Sequence, residues 1–277
     1  MKEILEGLRL LNRKLSRVNK LLTAYSRLKE KTIDNAYLLE KKLNEISKET
    51  NDLPDFSLKN KLLNWINNEK SELDKIKEEF RFSLAERIKE FFQKENWLIK
   101  GQYPKLRIGL YTLSLNFEFG EATLYFGPEI EKIKSKIPLE PEAIYQTIKK
   151  FDNNLKKNNF DPKEFYLDLQ KAYKNCILLS NKPYGEKVYL VDVLNKYVIL
   201  KQTAQFLADP KKDNFKEIPR ITLCYFLYLF KKSEYAQKGI HFYIATLDAT
   251  TDKLRAIWIP DNEDGEGTYY SYISFAE

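Results

Sequence analysis

Histidine, cysteine and glycine are scarce in this 277-residue chain, which holds one, two and nine of them. The single histidine, His241, excludes a histidine-rich metal site, and any Ser-His-Asp or Cys-His hydrolase would have to act through it. The nine glycines form no GxxxxGK[ST] motif and no GxGxxG motif after a strand, so the usual phosphate-binding loops are missing. The sequence therefore predicts no cofactor and no metal site, and it favours a protein that is not an enzyme.

The two cysteines, Cys176 and Cys224, lie in apolar segments that read as helices. Their wide spacing forms no zinc knuckle, and buried reduced thiols fit better than a disulfide. The first 15 residues mix charge into every turn, unlike a signal peptide. The longest nearly apolar run, residues 221–230, has about half the length that a bilayer span needs. We therefore expect a soluble, cytoplasmic protein without membrane contact.

The first 25 residues predict a long amphipathic helix. Apolar side chains recur there at alternating spacings of four and three, which is the heptad pattern of helices that pack against helices. They are Ile4, Leu8, Leu11, Leu15, Val18, Leu22 and Tyr25. We expect this stripe to bind a protein partner or a second copy of the chain. The helix is expected to continue to about residue 48, a length of roughly 70 Å.

A second long helix is predicted after Leu53-Pro54, because proline ends a helix and forces the preceding residue out of the α region. Asp55 or Ser57 is the expected N-cap. The short break favours an antiparallel pairing of the two helices. Residues 1–96 are therefore predicted to form a long antiparallel helical hairpin, a coiled-coil arm that is the first domain.

Positive charge is concentrated in the first helix. Residues 1–31 hold nine Lys or Arg against three acids, so +6 of the net charge of +7 lies there. Such a cluster attracts nucleic acid, an acidic membrane or an acidic partner, and it is equally typical of a solvated helix face. The predicted nucleic-acid contacts are Arg9, Arg13, Lys14, Arg17, Lys20 and Arg27.

Composition changes after residue 96, and residues 97–277 are predicted to form a globular α+β domain. Up to Gly127, aromatic and β-branched residues alternate around Gly120-Glu121, which predicts a β-hairpin or a three-strand meander. Pro128-Glu129 is expected to open a short helix. Further helices are predicted at residues 141–155, 162–179, 188–207 and 220–232. Strands are predicted at residues 240–245, 254–260 and 268–275.

The last third of the chain has the element order of a winged-helix module, two helices followed by a strand pair, predicted over residues 184–277. A DNA-reading helix presents Arg, Lys, Asn or Gln outward. Residues 221–230 contain none of these. This segment therefore favours packing against protein.

The aromatic side chains of the meander allow two interpretations. Basic residues lie close to them in sequence, and this mixture is typical of surfaces on which bases stack. The aromatic residues are Tyr103, Tyr111, Phe117, Phe119, Tyr125 and Phe126, and the basic ones are Lys100, Lys105 and Arg107. Both faces of the strands are apolar, however, which favours a buried sheet.

Carboxylates at the end of a strand raise the possibility of a metal-dependent nuclease. Such a site needs several acids and a lysine around one magnesium ion. Asp261 follows the strand IWIP, with Glu263, Asp264 and Glu266 beyond it, and an exposed acidic turn explains the same pattern. Asp161, in a second acidic group, opens a helix, where aspartate is a routine N-cap.

Taken together, these patterns favour a non-enzymatic adaptor or scaffold subunit. Its helical arm would dock a protein partner or an oligomer within a nucleic-acid-associated assembly. The alternative is a divalent-metal nuclease that uses the strand-end carboxylates near Asp261. Three acids and a lysine around one point would favour the alternative.

Overall fold

The computed structural model describes residues 1–276 and confirms the predicted α+β class, with eight α-helices and nine β-strands in that range. The chain divides into two compact units. The first comprises Met1–Glu95 with two short segments, Leu115–Ala122 and Pro138–Tyr145, and the second comprises the rest. Independent folding of residues 1–96 and 97–277 stays a prediction.

Three helices make up most of the first unit: α1 (Lys2–Leu28), α2 (Ala36–Asn51) and α3 (Ser57–Gln93). An ion pair joins Arg17 of α1 to Glu49 near the end of α2, at 3.1 Å. A second joins Glu40 near the start of α2 to Lys77 of α3, at 2.8 Å. Apolar faces of the three helices share one core. Its buried members are Tyr25, Leu39, Leu43, Ile46, Ile66 and Leu73.

The predicted continuous helix to residue 48 is wrong, because α1 ends at Leu28 and α2 begins only at Ala36. Asn35 Nδ2 donates a hydrogen bond to the Leu28 carbonyl O (2.9 Å), which satisfies one of the free carbonyls at the end of α1. Thr32 and Ile33 between the helices are β-branched and weak helix formers. Residues 1–96 therefore contain three α-helices where the sequence predicted two.

The predicted break at Pro54 is confirmed, since α2 ends at Asn51 and α3 begins at Ser57. The predicted N-cap is wrong. Phe56 occupies that position and makes no side-chain capping bond. Lys59 Nζ instead bonds the Leu53 carbonyl O (2.6 Å) and Asp55 Oδ1 (3.1 Å), so this lysine ties the link to the first turn of α3.

A five-stranded sheet follows, in which every strand pairs with its neighbour in sequence. The strands are β1 (Ile99–Gln102), β2 (Lys105–Ile108), β3 (Tyr111–Asn116), β4 (Glu121–Phe126) and β5 (Glu131–Pro138). The sheet thus has two strands more than the predicted three-strand meander and three more than the predicted β-hairpin. Gly109, with a φ of 54°, separates β2 from β3, and Gly127, with a φ of 62°, ends β4.

The short helix predicted at Pro128-Glu129 is wrong. Residues 127–130 form the turn into β5, and Glu129 has a φ of 60°, which a right-handed helix does not allow. The lysines of β5, Lys132, Lys134 and Lys136, are all exposed on this edge strand. Lysines on an edge strand discourage pairing with another chain, which accounts for them without a ligand.

The helical middle of the chain agrees with prediction except between residues 188 and 207. The elements there are α4 (Pro141–Lys156), α5 (Pro162–Leu179), β6 (Val188–Tyr189), α6 (Leu190–Leu200), α7 (Ala204–Ala208) and α8 (Arg220–Lys231). The long helix predicted at 188–207 is wrong, because Thr203 accepts a bond from the Phe206 N–H (3.2 Å) and starts a new helix. Asp161 caps α5 as predicted, accepting from the Lys163 N–H at 2.8 Å.

A second sheet is built around β9 (Gly267–Phe275). The strand β7 (Ile240–Ile244) pairs along one edge of β9, while β6 and β8 (Ile257–Pro260) pair along the other. Trp258 of β8 is 1% exposed, and its ring lies directly against two glycines of the second unit. A Cβ atom at Gly127 would approach that ring to 2.8 Å, and one at Gly267 to 2.5 Å. The tryptophan therefore fixes the spacing of the strands around it.

The aromatic residues of the meander are divided between core and surface. Tyr111 and Phe126 are fully buried, whereas Phe119 is exposed. Phe126 meets the edge of Trp258 at a centroid distance of 5.5 Å. Two of the six rings are therefore in the core, as the buried-sheet interpretation expected, and the other four are half-buried or exposed.

Candidate partner-binding helix

The second half of α1 is anchored inside the three-helix unit. Tyr25 Oη donates to Glu69 Oε2 of α3 at 2.6 Å, and Lys29 Nζ bonds the other oxygen of the same carboxylate at 2.7 Å. The Tyr25 ring also packs edge-on against Trp65, at a centroid distance of 5.4 Å. Burial, and then the hydrogen bond to Glu69, raises the pKa of Tyr25 far above its ordinary value, so this donor keeps its proton.

The first turns of α1 are exposed to solvent. Residues 1–10 are all exposed, although this stretch carries apolar side chains. Ile4 is 67% exposed and Leu8 is 58% exposed. Lys14 Nζ donates to the carbonyl O of Asp52, which follows the last residue of α2. Residues 2–13, named here the N-terminal arm, therefore extend beyond the end of α2.

The predicted partner-binding stripe is divided by this geometry. Val18 and Tyr25 are buried, and Leu22 packs against the core of the first unit. The remaining four positions run along the arm and its base, and they are exposed or half-exposed: Ile4, Leu8, Leu11 and Leu15. The heptad pattern thus continues from an intramolecular contact into a surface that has none.

A groove of about 350 Å³ lies at the base of the arm, within the first unit. Leu15, Val18 and Leu22 form its α1 side. The link before α3 and the first turns of α3 form the other side, with Leu53, Phe56, Leu58, Lys61 and Leu62. Sequence reasoning missed these last residues, because nothing in the α1 pattern points to them. Leu58 and Leu62, four residues apart, were the available signal.

The six predicted nucleic-acid contacts also fall into two groups. Arg17 pairs with Glu49, and Lys14 bonds a carbonyl group. The other four make no ion pair or hydrogen bond with any residue from 1 to 276: Arg9, Arg13, Lys20 and Arg27. Spacings of four and seven place these four on one face of α1, about 180° from the apolar stripe. The helix therefore presents an apolar face and a basic face that do not overlap.

The acidic residues near the end of β8 do not converge. Asp261 pairs with Lys231 (2.7 Å), Asp264 with Lys100 (3.1 Å), and Glu263 lies near a separate lysine. Burial alone raises the pKa of Asp261, but hydrogen bonds from Lys231 and Thr268 outweigh it and leave the pKa below its ordinary value. No group of three metal-ligating side chains occurs within the described part of the chain. Asp261 and Asp264 therefore form separate ion pairs at the turn between β8 and β9.

The two cysteines and Lys201 are held in their protonated forms. Burial raises the pKa of Cys224 to about 12, and burial likewise raises that of Cys176, so both thiols stay protonated. Burial lowers the pKa of Lys201, but hydrogen bonds to Glu164 and Asp168 outweigh it and the net pKa is raised. His241 is exposed on β7 opposite Ser274. Neither of the thiols nor the Lys201 amine is therefore poised as a nucleophile or as a general base.

Comparison of the chain with protein-family models, curated proteins and solved structures finds no match. From residue 1 to residue 276, no helix combines the length and the apolar character that crossing a membrane requires.

Proposed function

We propose that this protein is a non-enzymatic adaptor or scaffold subunit that docks a protein partner, or a further copy of itself, through the N-terminal arm. The observation that supports this proposal is the exposed half of the α1 stripe. Ile4 and Leu8 continue the spacing of the buried Val18 and Tyr25, yet they are 67% and 58% exposed. Contiguous exposed apolar surface of this kind marks interaction sites.

The arm also has the geometry that docking needs. It continues a helix that is already formed and anchored at Tyr25, so binding does not have to nucleate a helix. A pre-formed helix loses less conformational entropy on association than a disordered segment does. Coiled-coil packing of the arm against a partner helix is the form of contact that its heptad spacing favours.

The second part of the proposal is that the assembly contains nucleic acid, and its support is the basic face of α1. Arg9, Arg13, Lys20 and Arg27 lie opposite the stripe and have no partner within residues 1–276, so an anion could bind while the stripe is occupied. Changing Arg13 and Lys20 to Gln should lower the log–log salt slope of any duplex binding by about two units. An unchanged slope would remove nucleic acid from the proposal.

We also propose that the C-terminal region is a winged-helix-like module used for packing against protein. Helices α6 and α8 are followed by β7 and β9, and the short β6 joins the same sheet. Seven of the twelve residues of α8 are buried, so this helix has no open face for a DNA groove. No observation on the described residues favours the nuclease alternative, because the acids near Asp261 each have a different partner.

Affinity purification of the full chain from the cells that express it naturally tests the docking proposal. Ile4→Asp with Leu8→Asp places two charges on the arm without touching a buried side chain. Leu178→Asp is the matched control, because Leu178 is 77% exposed on α5. Wild type and control should retain one stoichiometric partner, or a second copy, and the arm variant should lose it. If all three purify with the same partners, the arm is not the docking element.

A further inference from the structure

The N-terminal arm and the groove at its base suit the same occupant. The arm presents an exposed apolar stripe, and the groove is an apolar surface that no helix of residues 1–276 fills. Both lie in the first unit, and Leu15 of the groove continues the stripe of the arm, so one apolar surface runs from Ile4 into the groove. An occupant of both surfaces must therefore present an apolar face at least as long as the arm.

The apolar positions 4, 8, 11 and 15 have spacings of four, three and four, which read the same in both chain directions. If a second arm lies antiparallel to the first, Ile4 of each copy falls opposite Leu15 of the other, and Leu8 falls opposite Leu11. This arrangement has two-fold symmetry and closes on itself, as interfaces of homodimers do. It also brings Ile4 and Leu5 of each copy to the mouth of the other copy's groove, which begins at Leu15.

Charge favours the antiparallel direction over the parallel one. The first six residues of the arm carry Lys2, Glu3 and Glu6, a net side-chain charge of −1. Residues 9–17 carry four basic side chains and no acid, a net charge of +4, and Lys61 lines the groove. Reversal places the −1 segment of one copy beside the +4 segment of the other, whereas parallel arms would align the two +4 segments. The basic face of α1 points away from the pairing and stays in water.

We infer that this protein is a homodimer in which two N-terminal arms pair antiparallel and each tip occupies the groove of the other copy. The inference rests on the proposed docking function and names the partner as a second copy of this chain. The two-fold arrangement buries both arms and both grooves together. Burying all four surfaces brings the interface toward the roughly 1,200–2,000 Å² that stable complexes bury.

Sedimentation equilibrium of the full chain measures the association directly. Wild type should move from the chain mass of 32.9 kDa to twice that mass as concentration rises. Ile4→Asp with Leu8→Asp should raise the dissociation constant of the dimer by about tenfold or more, because four charges enter each dimer interface. Leu178→Asp should leave it unchanged. A wild-type chain that stays monomeric at every concentration overturns the dimer.

Disulfide trapping measures the direction of the arms. Ile4→Cys and Leu15→Cys are made in separate full-length chains, mixed and oxidised mildly. Cys176 and Cys224 are buried, so they do not compete. The inference predicts a 4–15 disulfide in the mixture and none in either chain alone. A 4–4 disulfide would indicate parallel arms, and a dimer without any cross-link would place the interface elsewhere. Both results overturn the inference.

The outcomes also separate this inference from the docking proposal. If wild type is monomeric but purifies with a different stoichiometric protein, and the arm variant loses that protein, the docking proposal holds. That protein is then the occupant of the arm and groove. An acidic amphipathic helix would be such an occupant. A monomeric wild type with no arm-dependent partner removes both.

Discussion

Removing the hydroxyl of Tyr25 should loosen α1 by an amount that the structure allows us to estimate. Tyr25 Oη donates to Glu69 at 2.6 Å, and both side chains are buried. Tyr25→Phe keeps the ring against Trp65 and removes only the donor. Glu69 keeps Lys29 as a partner but loses one hydrogen bond to a buried charge, which costs about 1.5–3 kcal/mol.

Hydrogen exchange followed by mass spectrometry measures that cost where it arises. Opening of the second half of α1 becomes easier by the same free energy, so its amides should exchange roughly 10- to 150-fold faster. Tyr37→Phe is the matched control: its hydroxyl accepts from Arg81 Nε (2.9 Å), and the half-exposed guanidinium also bonds Glu78. That change should cost less than about 1 kcal/mol. Wild-type exchange rates in Tyr25→Phe would refute the claim that this network anchors α1.

Two further predictions concern the second unit and the arm. Gly127→Ala should sharply lower the melting temperature, because the new Cβ would lie 2.8 Å from the Trp258 ring and the φ of this residue is positive. Gly7→Ala should instead raise the stability of α1 by about 0.5–1 kcal/mol, because no atom lies within 4 Å of the new Cβ. Equal effects would contradict the packing described. Asp261 has a lowered folded pKa, so its carboxylate stabilises the fold above about pH 4 and loses that effect as the pH falls through the folded pKa. The melting-temperature gap between wild type and Asp261→Asn should therefore shrink in acid, and a gap that grows would refute this.

Local signals predicted much of the secondary structure. The prolines of α4 and α5, the aspartate at 161 and the break at Pro54 act through the backbone within a few residues, so sequence alone is enough to read them. The break after Leu28 was missed because its signal is weak. The heptad phase slips after Tyr25, but Leu39 and Leu43 resume an apolar spacing, and periodicity cannot distinguish one long helix from two short ones.

The site could be predicted only in part, because exposure is a property of the whole fold. The heptad pattern identified the α1 stripe, yet nothing in the spacing distinguishes Leu8, which is exposed, from Val18, which is buried. That difference depends on where α2 ends. Leu53 and Phe56 of the groove come from a link whose sequence has no periodicity, so only tertiary structure brings them to α1.

The central claim is that the N-terminal arm serves association and not the chain's own fold. The melting temperature of full-length Ile4→Asp with Leu8→Asp, in dilute solution beside wild type and Leu39→Asp, tests it most directly. Substitutions at exposed sites change stability by about 0.5 kcal/mol, so the arm variant should melt within about 2 °C of wild type. Leu39 is fully buried in α2, and its variant should lose the helical unit. A loss in the arm variant as large as that of Leu39→Asp would show that the stripe belongs to the fold and would contradict the claim.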